Sequence, residues 1–182
     1  MNESNLIRKI KKGDENAMDI LIQSYYPFIY AYVSRKMLMD DCAKDITQEV
    51  FLRFLRYLPT YRQEGKLLHY LYRIASNVCK DYYRKMQYHE DISELDYMIE
   101  DDTNVHESIL NQLKYEELML WISKLNDIQQ DVIILKYFHQ LTFKEIADIH
   151  HIPVSTVKSR HTQALIKLRK LMKEGGFQHE KI

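Results

Sequence analysis

The chain has 182 residues, 46% of them hydrophobic and 29% charged, which is an ordinary composition for a soluble globular protein. Only 4 Gly and 3 Pro are present, so long helices are favoured over strands joined by turns. No apolar run approaches the ~20 residues of a membrane span, and the charged N-terminus lacks the apolar segment of a secretory signal. The two cysteines, Cys42 and Cys79, do not suggest a disulfide framework and predict a reducing, cytoplasmic location.

The net charge of zero conceals a division of the chain into three parts. Residues 1–88 hold 15 basic against 10 acidic residues, residues 89–115 hold 1 against 8, and residues 116–182 hold 10 against 8. This pattern predicts two basic helical domains, at 1–88 and 116–175, followed by a short tail at 176–182. The acidic part, 89–115, has too few apolar residues to fold alone and predicts a flexible linker.

In chain order, the first helices are predicted from their caps and breakers. Gly13 ends a short helix, and Asp14 caps a second one. Pro27 suits an early position of a further helix, because an N–H at that position would have no helical partner. No strand pattern occurs along the chain, so the predicted fold class is all-α, with two small helical domains joined by the acidic linker.

The next helix, predicted to begin at Asp40 or Asp41 and to end at Pro59, mixes polar and apolar residues. The polar and apolar residues that recur near helical spacing are Asp45, Gln48, Glu49, Phe51, Leu52 and Arg53. An ordinary amphipathic helix explains this pattern. A docking face for a basic partner helix explains it as well, because carboxylates would set the register and apolar residues would supply affinity.

A loop and a long helix from about Leu67 to Met86 follow, and both are rich in tyrosine and basic residues. These residues are Tyr57, Tyr61, Arg62, Lys66, Tyr70, Tyr72, Arg73, Lys80, Tyr82, Tyr83, Arg84 and Lys85. Single-stranded DNA is bound by such a combination, through stacking on rings and pairing of phosphates with cations. Alternatively, several tyrosines belong to the core and expose only their hydroxyls. We expect at least half of them to be structural, and their spacing does not separate Tyr72 from Tyr83.

The stretch Leu141–Leu171 predicts two helices joined by a tight turn, and this helix–turn–helix unit spans about 142–162. Thr142 and Glu145 have the spacing of a capping box, Pro153 cannot continue the first helix, and Ser155 offers a second N-cap. The second helix presents groups that can bond phosphates and base edges: Ser155, Thr156, Lys158, Ser159, Thr162 and Gln163. This pattern is typical of a helix-turn-helix, whose second helix enters the major groove. An ordinary helical hairpin with a solvated basic side is the alternative.

Three motifs together resemble the extracytoplasmic-function class of the sigma-70 family. They are TQEVFLR (Thr47–Arg53), YLYRIASNVCKDYYRK (Tyr70–Lys85) and LTFKEIADIHHIPVSTVKSR (Leu141–Arg160), in the order and at the separations of that family. The resemblance covers nearly the whole chain and implies a bacterial transcription initiation factor. Its N-terminal domain would bind core RNA polymerase and melt the −10 element, and its C-terminal domain would read the −35 element.

The resemblance also implies partners and residue roles. The partners are promoter DNA, the β′ clamp coiled coil and β subunit of polymerase, and an anti-sigma protein, without insertion of this chain into a membrane. Core polymerase binding is implied for Asp45, Gln48, Glu49, Phe51, Leu52 and Arg53. Binding of −10 DNA is implied for Tyr61, Arg62, Lys66, Tyr70, Asn77, Lys80 and Arg84, with Asn77 helping to form a pocket for a flipped base. Binding of −35 DNA is implied for Ser155, Thr156, Lys158, Ser159, Thr162 and Gln163.

The sequence departs from the family pattern at several of these places. Tyr70 stands where the family commonly has Trp. His150 and His151 replace the usual Leu-Gly of the turn, so His151 is expected to adopt the left-handed conformation. Thr162 and Gln163 replace bulkier or basic residues, so the −35 sequence cannot be inherited from a relative.

Other functions have less support in the sequence. The chain has 8 His, but it lacks H-E-x-x-H, paired C-x-x-C, a Gly-rich phosphate loop and a nucleophile elbow. We therefore predict no enzyme activity, metal or cofactor. The main alternative is a helix-turn-helix transcription regulator that acts without docking on polymerase. The acidic linker is either a simple tether or, as the resemblance implies, a segment whose acids stand in for RNA phosphates in the exit path of polymerase.

Overall fold

The computed structural model describes residues 3–38, 40–62, 65–89 and 106–174. Within these ranges the secondary structure is helical, without strands, and the predicted all-α class is confirmed. The helices are α1 (Glu3–Ile10), α2 (Glu15–Met37), α3 (Asp40–Tyr57), α4 (Leu67–His89), α5 (His106–Ser123), α6 (Asp127–Ile133), a π-helical turn (Ile134–Phe138), α7 (Phe143–His150) and α8 (Val154–Glu174). None of the described helices combines the length and the apolar character needed to cross a bilayer.

Helices α1 to α4 form an N-terminal bundle in which α2, α3 and α4 pack against one another. Its core contains side chains that are almost completely buried, among them Leu21, Ile29, Val50, Phe54 and Leu71. The Asp14 carboxylate accepts a hydrogen bond from the Ala17 N–H at 3.0 Å, which confirms the predicted cap of α2.

The prediction of a separate helix starting near Pro27 is wrong. Pro27 lies inside α2, which continues without a break from Glu15 to Met37. Proline removes one backbone hydrogen bond from a helix interior. The helix persists because both halves are held by tertiary packing, through Leu21 before Pro27 and through Ile29 and Val33 after it.

Helices α5 to α8 form the C-terminal unit, with α8 packed on α5, α6 and α7. Its core includes Ile122, Val132, Ile146, Ala164 and Leu168. Residues 106–115 of the predicted linker are helical, because α5 begins at His106. Residues 90–105 and the predicted tail at 176–182 lie outside the described residues.

The two helical units are in contact with each other. Helix α7 packs on α4, and the π-helical turn packs on α2. The residues that make this contact are central to the candidate site.

Candidate nucleic-acid interface

The turn between α7 and α8 has the geometry that the sequence predicted. The Thr142 N–H donates to Glu145 Oε2 at 2.7 Å, and the Glu145 N–H donates to Thr142 Oγ1 at 3.3 Å. This capping box lowers the pKa of the Glu145 carboxyl, because the charged form accepts hydrogen bonds from the Thr142 hydroxyl and N–H. His151 has φ 53° and ψ 43°, so the predicted left-handed turn is confirmed.

Helix α8 begins at Val154, one residue before the predicted cap at Ser155. The Pro153 carbonyl accepts the N–H groups of Thr156 and Val157, so the helical bonding starts there. Val157, Ala164 and Leu168 face the core. The predicted groove-facing residues lie on the other side, and all except the half-buried Thr156 are exposed: Ser155, Thr156, Lys158, Ser159, Thr162 and Gln163. This side of α8 is therefore accessible to a DNA groove.

Some of the predicted docking residues on α3 are exposed to solvent, and others are buried in the core. Asp45, Gln48 and Leu52 are exposed, and 50% of the Leu52 surface is accessible to solvent. Phe51 is buried and stacks on Tyr26, with ring centroids 6.2 Å apart. The outer side of α3 thus offers acidic, amide and apolar groups, while Phe51 supports the helix from beneath.

The remaining two docking residues belong to an ion-pair chain that links α3 to α4. The Arg53 guanidinium contacts Glu49 within α3 and Asp81 on α4, each at 2.8 Å. The hydrogen bond from Arg53 is the largest cause of the lowered pKa of the Asp81 carboxyl. Arg84 also contacts Asp81, at 2.7 Å. Arg53 and Arg84 are therefore already paired within the chain.

The loop between α3 and α4 contains Tyr61 and is called the aromatic loop below; it is anchored to the N-terminal bundle. The rings of Tyr61 and Tyr70 lie 4.8 Å apart, and both contact Phe54 of the core. The Lys11 ammonium donates to the Tyr61 carbonyl at 2.9 Å, and the Arg73 guanidinium lies 5.0 Å from the centre of the Tyr70 ring. These contacts hold two aromatic rings beside a cluster of nitrogen-bearing side chains that we call the basic face: Arg62, Lys66, His69 and Arg73.

Further along α4, Asn77 and Lys80 are exposed on the outer surface of the helix. The other tyrosines have structural roles. Tyr72 is buried and its hydroxyl bonds to His139 Nδ1 at 2.7 Å, whereas the Tyr83 hydroxyl donates to the Lys36 carbonyl at 2.8 Å. The expectation that at least half of these tyrosines are structural is confirmed, since all except the exposed Tyr57 lie in or against the core: Tyr61, Tyr70, Tyr72, Tyr82 and Tyr83.

A buried polar cluster joins the two helical units, and no pattern in the sequence pointed to it. Asp131 on α6 is completely buried. Its carboxylate accepts hydrogen bonds from the Tyr32 hydroxyl at 2.5 Å, from the Ser76 hydroxyl at 2.7 Å and from the Lys36 ammonium. Lys36 is also buried and pairs with Asp127 at 2.6 Å. We call these five residues the Asp131 cluster.

The charges of the Asp131 cluster compensate one another. Burial alone would raise the pKa of the Asp131 carboxyl, but Lys36, His150 and hydrogen bonds from Lys36 and Tyr32 hold it below its usual value. His150 Nε2 lies 3.5 Å from Asp131, and burial lowers the pKa of this imidazole. Burial also lowers the pKa of His139 to about 4, so this imidazole is neutral at pH 7.

A second set of contacts places α7 against the basic face. The Asp148 carboxylate pairs with Lys66 at 2.6 Å, and Glu145 Oε1 lies 3.7 Å from His69 Nε2. Arg73 contacts the imidazole of His151. A cleft of about 520 Å³ remains between the two units, lined by Tyr61, Arg62, Lys66, Tyr70, Arg73, Asp148 and His151 among others.

Both helical units have counterparts in known proteins. Residues 21–88 match the family model of sigma-70 region 2, and residues 121–170 match that of sigma-70 region 4. The ECF RNA polymerase sigma factor SigW of Bacillus subtilis is 30% identical over 178 residues, which cover 92% of this chain and 95% of the relative. The ECF RNA polymerase sigma-E factor of Escherichia coli is 27% identical, with 85% and 86% covered.

The fold is also shared with a solved structure, the co-crystal structure of the sigma factor RpoE in complex with the anti-sigma factor NepR from Bartonella quintana. The TM-score is 0.67 at 19% identity, with 86% of this chain and 96% of that chain covered. The chain therefore belongs to the sigma-70 family, within its extracytoplasmic-function class. It recognises promoters for RNA polymerase. This assignment favours the polymerase-dependent function over that of a regulator acting alone.

Proposed function

We propose that this sigma factor binds promoter DNA and core polymerase through three separate surfaces. The exposed side of α8 reads the −35 duplex, the aromatic loop with the basic face and outer surface of α4 captures single-stranded −10 DNA, and α3 docks on core polymerase. The proposed domains are 1–88 and 116–175, joined by the linker 89–115, of which residues 106–115 are the first part of α5. The matched family regions at 21–88 and 121–170 support these bounds.

The observation that carries the proposal is the exposed surface of α3, which lies in a different unit from the helix-turn-helix. Asp45 and Gln48 offer hydrogen-bond acceptors beside the half-exposed Leu52. A basic coiled coil, such as the one implied in the β′ subunit, complements this combination of acid and apolar surface. A DNA-binding regulator acting alone would have no use for such a surface.

The residues assigned to −35 DNA differ in what they can offer. Lys158 and Gln163 are exposed and long enough to reach base edges. The Thr162 hydroxyl already donates to the Lys158 carbonyl at 3.1 Å, so its oxygen as an acceptor and its methyl group are the parts available to a base. Ser155 and Thr156 lie in the first turn of α8. The Thr156 N–H already donates to the Pro153 carbonyl, so the helix dipole, the Ser155 N–H and the two hydroxyls are the groups that favour a phosphate there.

The same proposal extends to partners and location. Because a relative of the same fold is solved with an anti-sigma factor, we propose that this chain is also bound by one. We propose further that it has no catalytic role of its own and works in the cytoplasm, where polymerase and the chromosome are found. Polymerase contacts include the β′ coiled coil and the β subunit.

The test is capture of core RNA polymerase by the full chain, followed by transcription from a set of promoters. Leu52→Asp should reduce capture at least tenfold, because a charge would replace an apolar contact residue. Ile20→Asp is the matched control, since Ile20 is an apolar residue of α2 with a similar exposure of 40%. Equal capture by both variants would contradict the role of α3, and failure of the wild type to initiate at any promoter would contradict the proposal as a whole.

A further inference from the structure

The backbone of the aromatic loop is contacted by a lysine from a distant part of the chain. Lys11 lies in the turn between α1 and α2. Its ammonium donates to the Pro59 carbonyl at 3.4 Å and to the Tyr61 carbonyl at 2.9 Å, which are 48 and 50 positions away along the chain. Both α1 and Lys11 precede residue 21, where the match to sigma-70 region 2 begins.

The two carbonyls lie just beyond the end of α3, where backbone oxygens no longer have helical partners. Helix α3 ends at Tyr57, whose carbonyl accepts the N–H groups of Thr60 and Tyr61. The carbonyls of Pro59 and Tyr61 accept the Lys11 ammonium instead. A cation at the C-terminal end of a helix is also favoured by the helix dipole. Lys11 therefore extends the hydrogen bonding of α3 into the loop that carries the Tyr61 ring.

The position of Lys11 is set by the packing of α1. Leu6, Ile7 and Ile10 are buried and attach α1 to the N-terminal bundle. The turn that follows is closed by a hydrogen bond from the Gly13 N–H to the Ile10 carbonyl at 2.9 Å. Gly13 has φ 87°, a left-handed conformation that glycine adopts at little cost. The backbone that carries Lys11 is thus fixed on both sides.

Helix α1 also reaches the vicinity of the Tyr61 ring. The Tyr25 hydroxyl donates to Glu3 Oε2 at 3.0 Å. Burial, followed by the charge and hydrogen bond of Glu3, raises the pKa of Tyr25 to about 12, and the neighbouring Tyr61 phenol adds to this rise. Glu3, Tyr25 and Tyr61 therefore lie in one neighbourhood, so α1 supports the loop near its ring as well as at its backbone.

We propose that Lys11 is a positioning residue for the capture of single-stranded −10 DNA, and that it acts through the backbone of the aromatic loop without touching the DNA. By holding this backbone it keeps the Tyr61 ring against Tyr70, beside Arg62, where both the ring and the cation line the cleft. The DNA ligand of the loop rests on the proposed function, whereas the attachment of the loop to Lys11 does not.

The first experiment examines the loop of the free full chain, without DNA. Limited trypsin digestion and mass spectrometry follow cleavage after Arg62, which is exposed. Lys11→Met should accelerate this cleavage about fivefold, because loss of a hydrogen bond from a charged donor increases the population of the open loop. Lys11→Arg keeps the charge and the donors and should restore slow cleavage. Lys12→Met is the matched control, since it removes the same charge from the next exposed residue, and its cleavage should stay within about twofold of wild type.

The second experiment measures promoter opening by the full chain bound to core polymerase. Permanganate reactivity is followed over time on the most active promoter of the transcription test and on copies with single substitutions in its −10 element. Lys11→Met should open the intact promoter about fivefold more slowly and should lose most of the discrimination against the substituted copies, because fewer molecules hold the loop in the competent position. Lys11→Arg should restore both. A loss of stability alone would slow opening equally on every promoter and leave the discrimination ratio unchanged. Circular dichroism and capture of core polymerase should not differ among the four proteins.

Three results would overturn the proposal. Equal cleavage after Arg62 in Lys11→Met and wild type would show that the ammonium does not hold the loop. Faster cleavage with an unchanged discrimination ratio would refute the role in −10 capture. A salt dependence of opening that falls by about one phosphate contact in Lys11→Met would show that Lys11 binds DNA directly. Absence of initiation by the wild type would contradict the proposed function instead, and the cleavage rates would still decide whether Lys11 holds the loop.

Discussion

Removal of the buried ammonium of Lys36 should cost more stability than removal of the carboxylate that it faces. Lys36→Met leaves Asp131 fully buried with two hydroxyl donors and with His150 at 3.5 Å, but without its lysine cation. Asp131→Asn leaves Lys36 paired with Asp127 at 2.6 Å, and the side chain of Asp127 is 34% exposed. Breaking a buried pair costs about 3–5 kcal/mol. We therefore expect about 4–5 kcal/mol for Lys36→Met and about 3 kcal/mol for Asp131→Asn at pH 7.

The double variant provides the control for this prediction. Lys36→Met combined with Asp131→Asn removes both charges, so its loss should be at least about 2 kcal/mol smaller than the two single losses added together. Urea unfolding followed by circular dichroism measures all four proteins. Losses below about 1 kcal/mol in both single variants, the size expected of an exposed pair, would show that the charges are hydrated. That result would refute the reasoning.

Three further predictions concern DNA reading and pH. Lys158→Ala or Gln163→Ala should weaken binding to a cognate −35 duplex by about 1–3 kcal/mol and binding to random duplex much less, as measured by anisotropy; an equal loss on both duplexes would indicate phosphate contact only. Asn77→Ala should slow promoter opening more than formation of the closed complex, and permanganate footprints identical to wild type would count against this. Because burial lowers the pKa of His139 from 6.5 to about 4, the unfolded chain gains its proton first, so the free energy of unfolding should fall as the pH decreases from 6.5 to 4. In a urea titration, His139→Leu should flatten this dependence, and an unchanged slope would contradict the assignment.

Features that depend on neighbouring residues could be predicted from the sequence. The capping box of Thr142 and Glu145 follows from local backbone chemistry, and the left-handed His151 follows from its place at the usual Gly of the family's turn. Both are found in the structure. Phe51 shows the limit of that approach. Its neighbour Val50 marks the buried stripe of α3, but Phe51 is buried as well because Tyr26 of α2 stacks on it. The position of Tyr26 cannot be predicted from the spacing of residues within α3.

Contacts between distant segments could not be predicted in this way. Lys36 and Asp131 are 95 positions apart, and each occurs in a helix whose sequence suggests an exposed charge. Only the packing of α2 and α4 against α6 shows that both are buried. Pro27 illustrates the same difficulty, because local chemistry favours a helix start at proline and tertiary packing overrides that preference.

The Asp131 cluster has a consequence for the order of events during synthesis. Its donors Tyr32, Lys36 and Ser76 come from α2 and α4, and Ser76 precedes Asp131 by 55 residues. At roughly 5–20 residues per second, the ribosome needs about 3–11 s to add that length. During this interval the N-terminal bundle can fold while Lys36 is still hydrated and the basic face still uncovered. Completion of α6 and α7 ends that period, because these helices supply Asp131 to Lys36 and Asp148 to Lys66.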